Sequence, residues 1–170
     1  PVTNIRSLEL ADMDGDGLTD VVVNNSEISW YKSIDGTGAF SAPQLIKKTF
    51  SSAYYWMKLL DLDSDGDMDL VYNAASRAKW LENTNGLGTA WSAEKELDGT
   101  NRTTAAEMAD IDGDGLKDLV LTLFGPGPVW FKRKPGGFDA YQYILLGAIP
   151  LTGSDQSLCA GDPDKDGDTD

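Results

Sequence analysis

The chain has 170 residues, of which 41% are hydrophobic and 25% charged, and its net charge is −14. That composition belongs to a globular chain long enough for one domain with a sizeable core, not to a disordered one. With no histidine and one cysteine, Cys159, it excludes Cys/His zinc sites, histidine-based catalytic triads and an internal disulfide.

Two further exclusions follow. No apolar run approaches the roughly 20 residues of a membrane helix, so no bilayer span is expected. No basic stripe is present to neutralise phosphates, so nucleic acid is not an expected partner. The chain starts at Pro1 with no basic-then-apolar leader, so a targeting signal is expected to have been removed or to lie outside it.

In chain order, the first unit reads as strands over 5–11, 20–24, 28–32 and 43–47. The β-branched run Val21-Val22-Val23 and the glycine turn at Gly36 and Gly38 set its punctuation. The second repeats the scheme at 56–60, 69–73, 78–83 and 94–97, and the third at 104–109, 118–122, 129–132 and 141–145. No segment has the length and period of an amphipathic helix. Trp30-Tyr31, Trp80-Leu81 and Trp130-Phe131 recur every 50 residues and are read as core, and Trp91 as cover for a blade rim. Cys159 reads as a small buried hydrophobe. Four antiparallel strands every ~50 residues are the signature of propeller blades, so the expected fold is all-β. The expected blades are 3–52, 53–101, 102–153 and the start of a fourth at 154–170.

The acidity has a pattern. Between the first and second strands of each unit lies Asp-x-Asp-x-Asp-Gly-x-x-Asp, starting at Asp12, Asp61, Asp110 and Asp162. These four loops hold 18 of the 28 acidic residues. Carboxylates this close repel one another unless a cation sits among them. Calcium accepts six to eight oxygens in flexible geometry. The first loop supplies side-chain oxygens from Asp12, Asp14 and Asp16, the backbone carbonyl of Leu18, and Asp20, which closes the ring with one or both oxygens. The second offers Asp61, Asp63, Asp65, Asp67 and Asp69; the third, Asp110, Asp112, Asp114, Leu116 and Asp118. The fourth offers Asp162, Asp164, Asp166, Asp168 and Asp170. Up to four Ca2+ ions are expected, one per loop. Glycine at the sixth position (Gly17, Gly66, Gly115, Gly167) suits the positive φ of such a wrap.

An EF-hand shares the opening aspartates but needs a glutamate at position twelve and flanking helices; Val23, Tyr72 and Leu121 stand there, in strand-like runs. Asp and Gly favour plain turns too, but four copies in one phase argue against mere turns. Magnesium fits a flexible many-oxygen cage worse than calcium does.

This pattern, with its following apolar strand, its Trp-aromatic strand and the segment Gly36-Thr-Gly-Ala-Phe40, resembles the FG-GAP/VCBS repeat across essentially the whole chain. That family builds the calcium-binding β-propeller of integrin α-subunit heads and of many secreted microbial, fungal and algal proteins. The resemblance implies a calcium ion between the first and second strands of each blade. It also implies closure with about seven blades, hence partners in the remaining blades of a larger chain. It implies an extracellular or secreted location, where calcium near millimolar levels fills even weak sites, and a structural role for the metal.

In an up-and-down blade the calcium loops and glycine turns share one face. The opposite face carries residues 24–26, 50–55, 74–77, 99–103 and 124–128, and is where related propellers bind ligands. Tyr54-Tyr55-Trp56 is a candidate there for stacking on a sugar or seating a partner's side chain, with packing into the blade core as the competing reading. Asn24 and Asn101 head glycosylation sequons, meaningful only in a eukaryotic secretory protein. The expected function is a scaffold for protein or glycan binding. The alternatives are part of a carbohydrate-active enzyme of the polysaccharide lyase or dehydratase type, for which no catalytic residue stands out, and a lectin.

Overall fold

The computed structural model describes residues 4–48, 56–75, 77–97, 99, 103–124 and 127–144. Strands β1 (Ser7–Ala11), β2 (Asp20–Asn24), β3 (Glu27–Tyr31) and β4 (Gln44–Lys48) form one antiparallel sheet in that order. A second contains β5 (Met57–Leu60), β6 (Asp69–Ala74), β7 (Arg77–Leu81) and β8 (Lys95–Glu96). The third starts with β9 (Thr103–Ala109), β10 (Asp118–Leu123) and β11 (Gly127–Phe131). The short β12 (Arg133–Lys134) and β13 (Gly137–Phe138) pair with each other, and β14 (Gln142–Tyr143) completes the third sheet beside β11. No helix occurs among the described residues. The molecule is all-β, built of propeller-like four-stranded blades.

The middle strands explain the stacking. Leu70, Val71, Leu119 and Leu121 are completely buried, and Val22 with them. A run of consecutive buried residues, rather than an alternating pattern, means that both faces of β6 and β10 are covered. One hydrophobic cluster joins the first two sheets through Met13, Val22, Ile28 and Trp30 against Met57, Leu59, Leu70 and Tyr72. Another joins the second and third through Leu62, Val71, Ala78 and Trp80 against Ala106, Leu119, Leu121 and Phe131. The strands that open each blade lie side by side, β1 near β5 and β5 near β9. Leu8 and Leu10 are exposed, whereas their equivalents one repeat later, Met57 and Leu59, are buried. Among the described residues no sheet covers β1 from that side.

The turn region between β7 and β8 also packs on the first blade. A Cβ on Gly88 would stand 3.0 Å from the Trp30 ring, and its φ is +66°, so only glycine fits where the second blade's turn closes over that indole. Trp91 packs on the same cluster and donates its indole N–H to the Gly88 carbonyl at 3.1 Å. In the third blade the turn is tighter than expected. Pro135-Gly136 makes a two-residue hairpin between β12 and β13, where the first two blades have only the single bridges Ser33↔Phe40 and Asn83↔Trp91. Gly136 has φ +81°, which the second turn position after a proline requires.

A polar tie crosses the first blade junction. Glu94 receives Lys47 of β4 at 2.9 Å, and hydrogen bonds from Lys79 of β7 and Tyr72 of β6. Burial alone would raise this carboxyl, but those three donors hold it at about 2, against an ordinary 4.5. A depressed acid contributes stability above the unfolded value that is lost as pH falls through the folded one. The tie therefore weakens between about pH 4.5 and pH 2. Glu94→Gln is expected to lose about 1 kcal/mol at pH 7, after allowance for solvent screening. It should also flatten the acid limb of a urea-midpoint-versus-pH curve; an unchanged acid limb would show that the tie carries no stability.

Candidate metal centres

The loops between β1 and β2, β5 and β6, and β9 and β10 are wrapped by their own side chains. Asp12 accepts the amide N–H of Asp16 at 3.1 Å and of Gly17 at 2.7 Å. Asp61 accepts Gly66 at 3.2 Å, and Asp110 accepts Gly113, Asp114 and Gly115 at 2.8, 3.1 and 2.8 Å. The fifth residue then caps the seventh amide: Leu18 donates to Asp16, Asp67 to Asp65, and Leu116 to Asp114. Gly17, Gly66 and Gly115 have φ of +85°, +96° and +86°, in keeping with the wrap expected at the sixth position.

Position four has the same requirement, which is not evident from the aspartate pattern although glycine stands there in two loops. Gly15 and Gly113 both have φ +72°, and Ser64 is held at +61° in the second loop. A left-handed non-glycine residue costs roughly 1 kcal/mol. Ser64→Gly is therefore expected to raise stability by up to about that much. A lowered melting temperature would mean that the serine makes a contact worth more than the strain.

The ninth aspartates do more than close a ring. Asp20 accepts the Met13 amide at 3.0 Å on one oxygen and the Ser33 amide at 2.7 Å on the other. Asp69 does the same with Leu62 at 3.0 Å and Asn83 at 2.8 Å, and Asp118 with Ile111 at 3.2 Å and Arg133 at 2.7 Å. Both oxygens of each carboxylate are thus engaged by backbone, fastening the loop to the residue that leaves the third strand. Each oxygen has a second lone pair for a further partner.

Carboxylate oxygens of Asp12, Asp14 and Asp20 lie within 4.8 Å of one another, as do those of Asp61, Asp63 and Asp65 and those of Asp110, Asp112 and Asp118; each group could hold a metal ion. Asp14 Oδ1, Asp61 Oδ1 and Asp67 Oδ1 are buried atoms without a hydrogen-bond partner. Orphaned anionic oxygens gathered in one place are a donor set suited to a hard cation. Asp16 and Asp114 lie outside these groups, and a lysine reaches from each of them to a member of the group. Lys32 pairs with Asp14 and, at 2.7 Å, with Asp16; Lys132 pairs with Asp112 and, at 2.8 Å, with Asp114. These contacts come from the residue after each Trp-aromatic pair, and no local pattern in the sequence announces them.

The electrostatics differ accordingly. Lys32 and Lys132 hold the Asp16 and Asp114 carboxyls below the ordinary range, helped by the backbone amides. In the second loop burial pushes Asp67 up to about 6, with Asp65, Asp63 and Asp61 pushing the same way, and Asp69 up to about 7. Burial and Asp65 likewise raise Asp63.

The remaining candidates from the sequence fall differently. Trp56 is partly buried against the second-to-third blade cluster and donates its indole N–H to the Thr103 carbonyl, contacts of the kind the packing reading expects. Asn24 is 1% exposed within β2, so the folded chain presents no sugar acceptor there. Tyr54, Tyr55, Asn101, Cys159 and the loop of Asp162, Asp164, Asp166, Asp168 and Asp170 lie outside the described residues. No helix of the described residues is long and apolar enough to cross a membrane.

Repeated four-stranded blades with an aspartate-wrapped loop between their first two strands define a class of protein, and comparison names it. The profile of the FG-GAP-like repeat matches residues 12–72 and again 61–121, and the chain belongs to that family. No curated protein sequence matches it. Among solved structures, a lectin of Agrocybe aegerita, described as specifically recognising non-reducing terminal N-acetylglucosamine, superimposes with a TM-score of 0.62. The two are 20% identical, and the match covers 82% of this chain and 38% of the lectin, so the chain spans well under half of that protein.

Proposed function

We propose that the chain is part of a calcium-stabilised, extracellular β-propeller that displays a glycan-binding surface, its remaining blades belonging to a larger assembly. The observation that carries the calcium reading is the recurrence, at one position in three blades, of clustered carboxylates, with buried unpartnered oxygens in the first two loops. Asp12, Asp14 and Asp20 in the first loop, Asp61, Asp63 and Asp65 in the second, and Asp110, Asp112 and Asp118 in the third would hold the ion. Asp162, Asp164, Asp166, Asp168 and Asp170 would do so in a fourth loop. The bound metal would offset carboxylate repulsion and so add to folding free energy.

The glycan reading draws on the lectin similarity and on a cleft of about 460 Å3 between the second and third blades. Phe131, Phe138 and Tyr141 line it together with Lys95, Glu96 and Asp139. Aromatic faces beside a few charged groups are the usual furniture of a small-ligand site.

Thermal unfolding in calcium, in magnesium and in chelator tests the metal. A stabilisation specific to calcium supports the reading, and identical curves in all three would end it. Binding of N-acetylglucosamine-terminated and other glycans in calcium tests the ligand class. Binding without turnover separates a lectin from an enzyme.

A further inference from the structure

The three described loops are not equivalent, and what distinguishes them lies outside the acidic motif. The residue two places after Trp30, Trp80 and Trp130, at one repeat position, is Lys32, Glu82 and Lys132. In the first and third blades this side chain returns over the loop and seats its ammonium among the carboxylates, on Asp14 and Asp16 or on Asp112 and Asp114. In the second blade the same position adds another acid. Glu82 acts on Asp63 as a like charge and is itself drawn to Lys95 at 2.7 Å, and Lys95 lies over the Trp80 ring. The second loop also has a fifth aspartate, Asp67, where the others have leucine; one of its oxygens is buried and unpartnered. Lys58, on the wall of the cleft between the first two loops, is paired with Glu9 at 3.6 Å.

Resting on the calcium reading above, we infer that the loops form a graded set of calcium sites. The second is the tight site. The first and third each carry a tethered ammonium that occupies the carboxylates in the metal-free protein and must leave when calcium enters. A lysine ammonium and a divalent cation compete for the same oxygens, and the ion gains most where no resident positive charge opposes it. Each ammonium also offsets repulsion among the carboxylates it touches. The second loop has no such substitute and depends on calcium most.

Calcium titration calorimetry on the whole chain, with Lys32→Met, Lys132→Met and Glu82→Lys and with Lys48→Met as a control remote from the loops, tests this. The Lys32 and Lys132 substitutions should tighten a weaker class of sites on the order of tenfold, and Glu82→Lys should weaken the tightest class by a similar factor. Lys48→Met should change neither. In chelator, Lys32→Met should melt below the parent chain, and in saturating calcium the deficit should vanish, a change that a lysine with only a packing role would not produce. If a lysine variant folds poorly, Glu82→Gln, which keeps shape and removes charge, should still weaken the tight class by a smaller factor. Calcium binding to the parent chain with affinities that none of these substitutions moves would overturn the grading while leaving calcium binding intact. No calcium binding by the parent chain would remove the calcium reading itself, and the grading with it. A fourth loop adds to the stoichiometry but responds to none of these substitutions.

Discussion

Asp69→Ala is expected to cost about 3–5 kcal/mol of unfolding free energy, and to cost it in chelator as well as in calcium. The carboxylate is fully buried and holds two backbone amides, those of Leu62 and Asn83. Removing it strands both N–H groups, at roughly 1–3 kcal/mol each, beside the void left by the side chain. Domains of this size have only about 5–15 kcal/mol to lose, so the variant should sit near the edge of folding. Asp69→Asn retains one oxygen acceptor and replaces the other with a donor that faces an amide, so its loss should be intermediate. Urea unfolding in chelator decides the matter. If the alanine variant matches the parent there and falls behind only with calcium, Asp69 is a metal ligand alone and its two amide bonds contribute nothing. The same reasoning applies to Asp20 and Asp118, where any metal-binding role is superposed on a backbone staple.

Local chemistry makes much of this readable from the chain alone. The nine-residue loop encodes its own wrap, because Asp12, Asp16 and Gly17 interact within five residues of one another. The middle strands are legible in Val21-Val22-Val23 and Leu119-Val120-Leu121, short apolar runs of the kind that form buried strands. What escapes a sequence reading depends on contacts far apart in the chain. Lys32 reaches Asp14 across 18 residues, Asp20 reaches Ser33 across 13, and Trp56 reaches Thr103 across 47. None has a local pattern, since each follows from how the third strand or the next blade is laid against the loop. Aligning the repeats position by position exposes two of these features. The Lys32, Glu82, Lys132 series and the Gly15, Ser64, Gly113 series are both visible once the units are superposed. The Pro135-Gly136 hairpin escapes for a different reason. In sequence it is the counterpart of the earlier glycine turns, but its shorter span brings two pairs of residues into register.

The same position-by-position logic separates three tryptophans that sequence treats alike. Trp30 is 1% exposed and Trp80 4%, each beneath the turn of the following blade, whereas Trp130 is only partly buried. Trp80 meets Phe138 of the third blade edge-on at 5.9 Å, and Lys95 lies over its ring at 4.1 Å. Truncating a buried aromatic removes its transfer free energy and leaves a cavity that a rigid sheet stack fills poorly, about 3–5 kcal/mol in all. Trp80→Ala and Trp30→Ala are therefore expected to lose that amount and Trp130→Ala distinctly less. The indole N–H groups of Trp30 and Trp80 are buried without an acceptor, so their value is apolar contact and not hydrogen bonding. Trp80→Phe should consequently keep most of the stability that Trp80→Ala forfeits. Denaturant midpoints of the four variants, measured in saturating calcium to hold the loops constant, test the ranking. Equal losses at Trp80 and Trp130 would mean that the blade-to-blade cover does not set the energetics. The ranking above would make Trp30 and Trp80 the anchors by which the second and third blades are held.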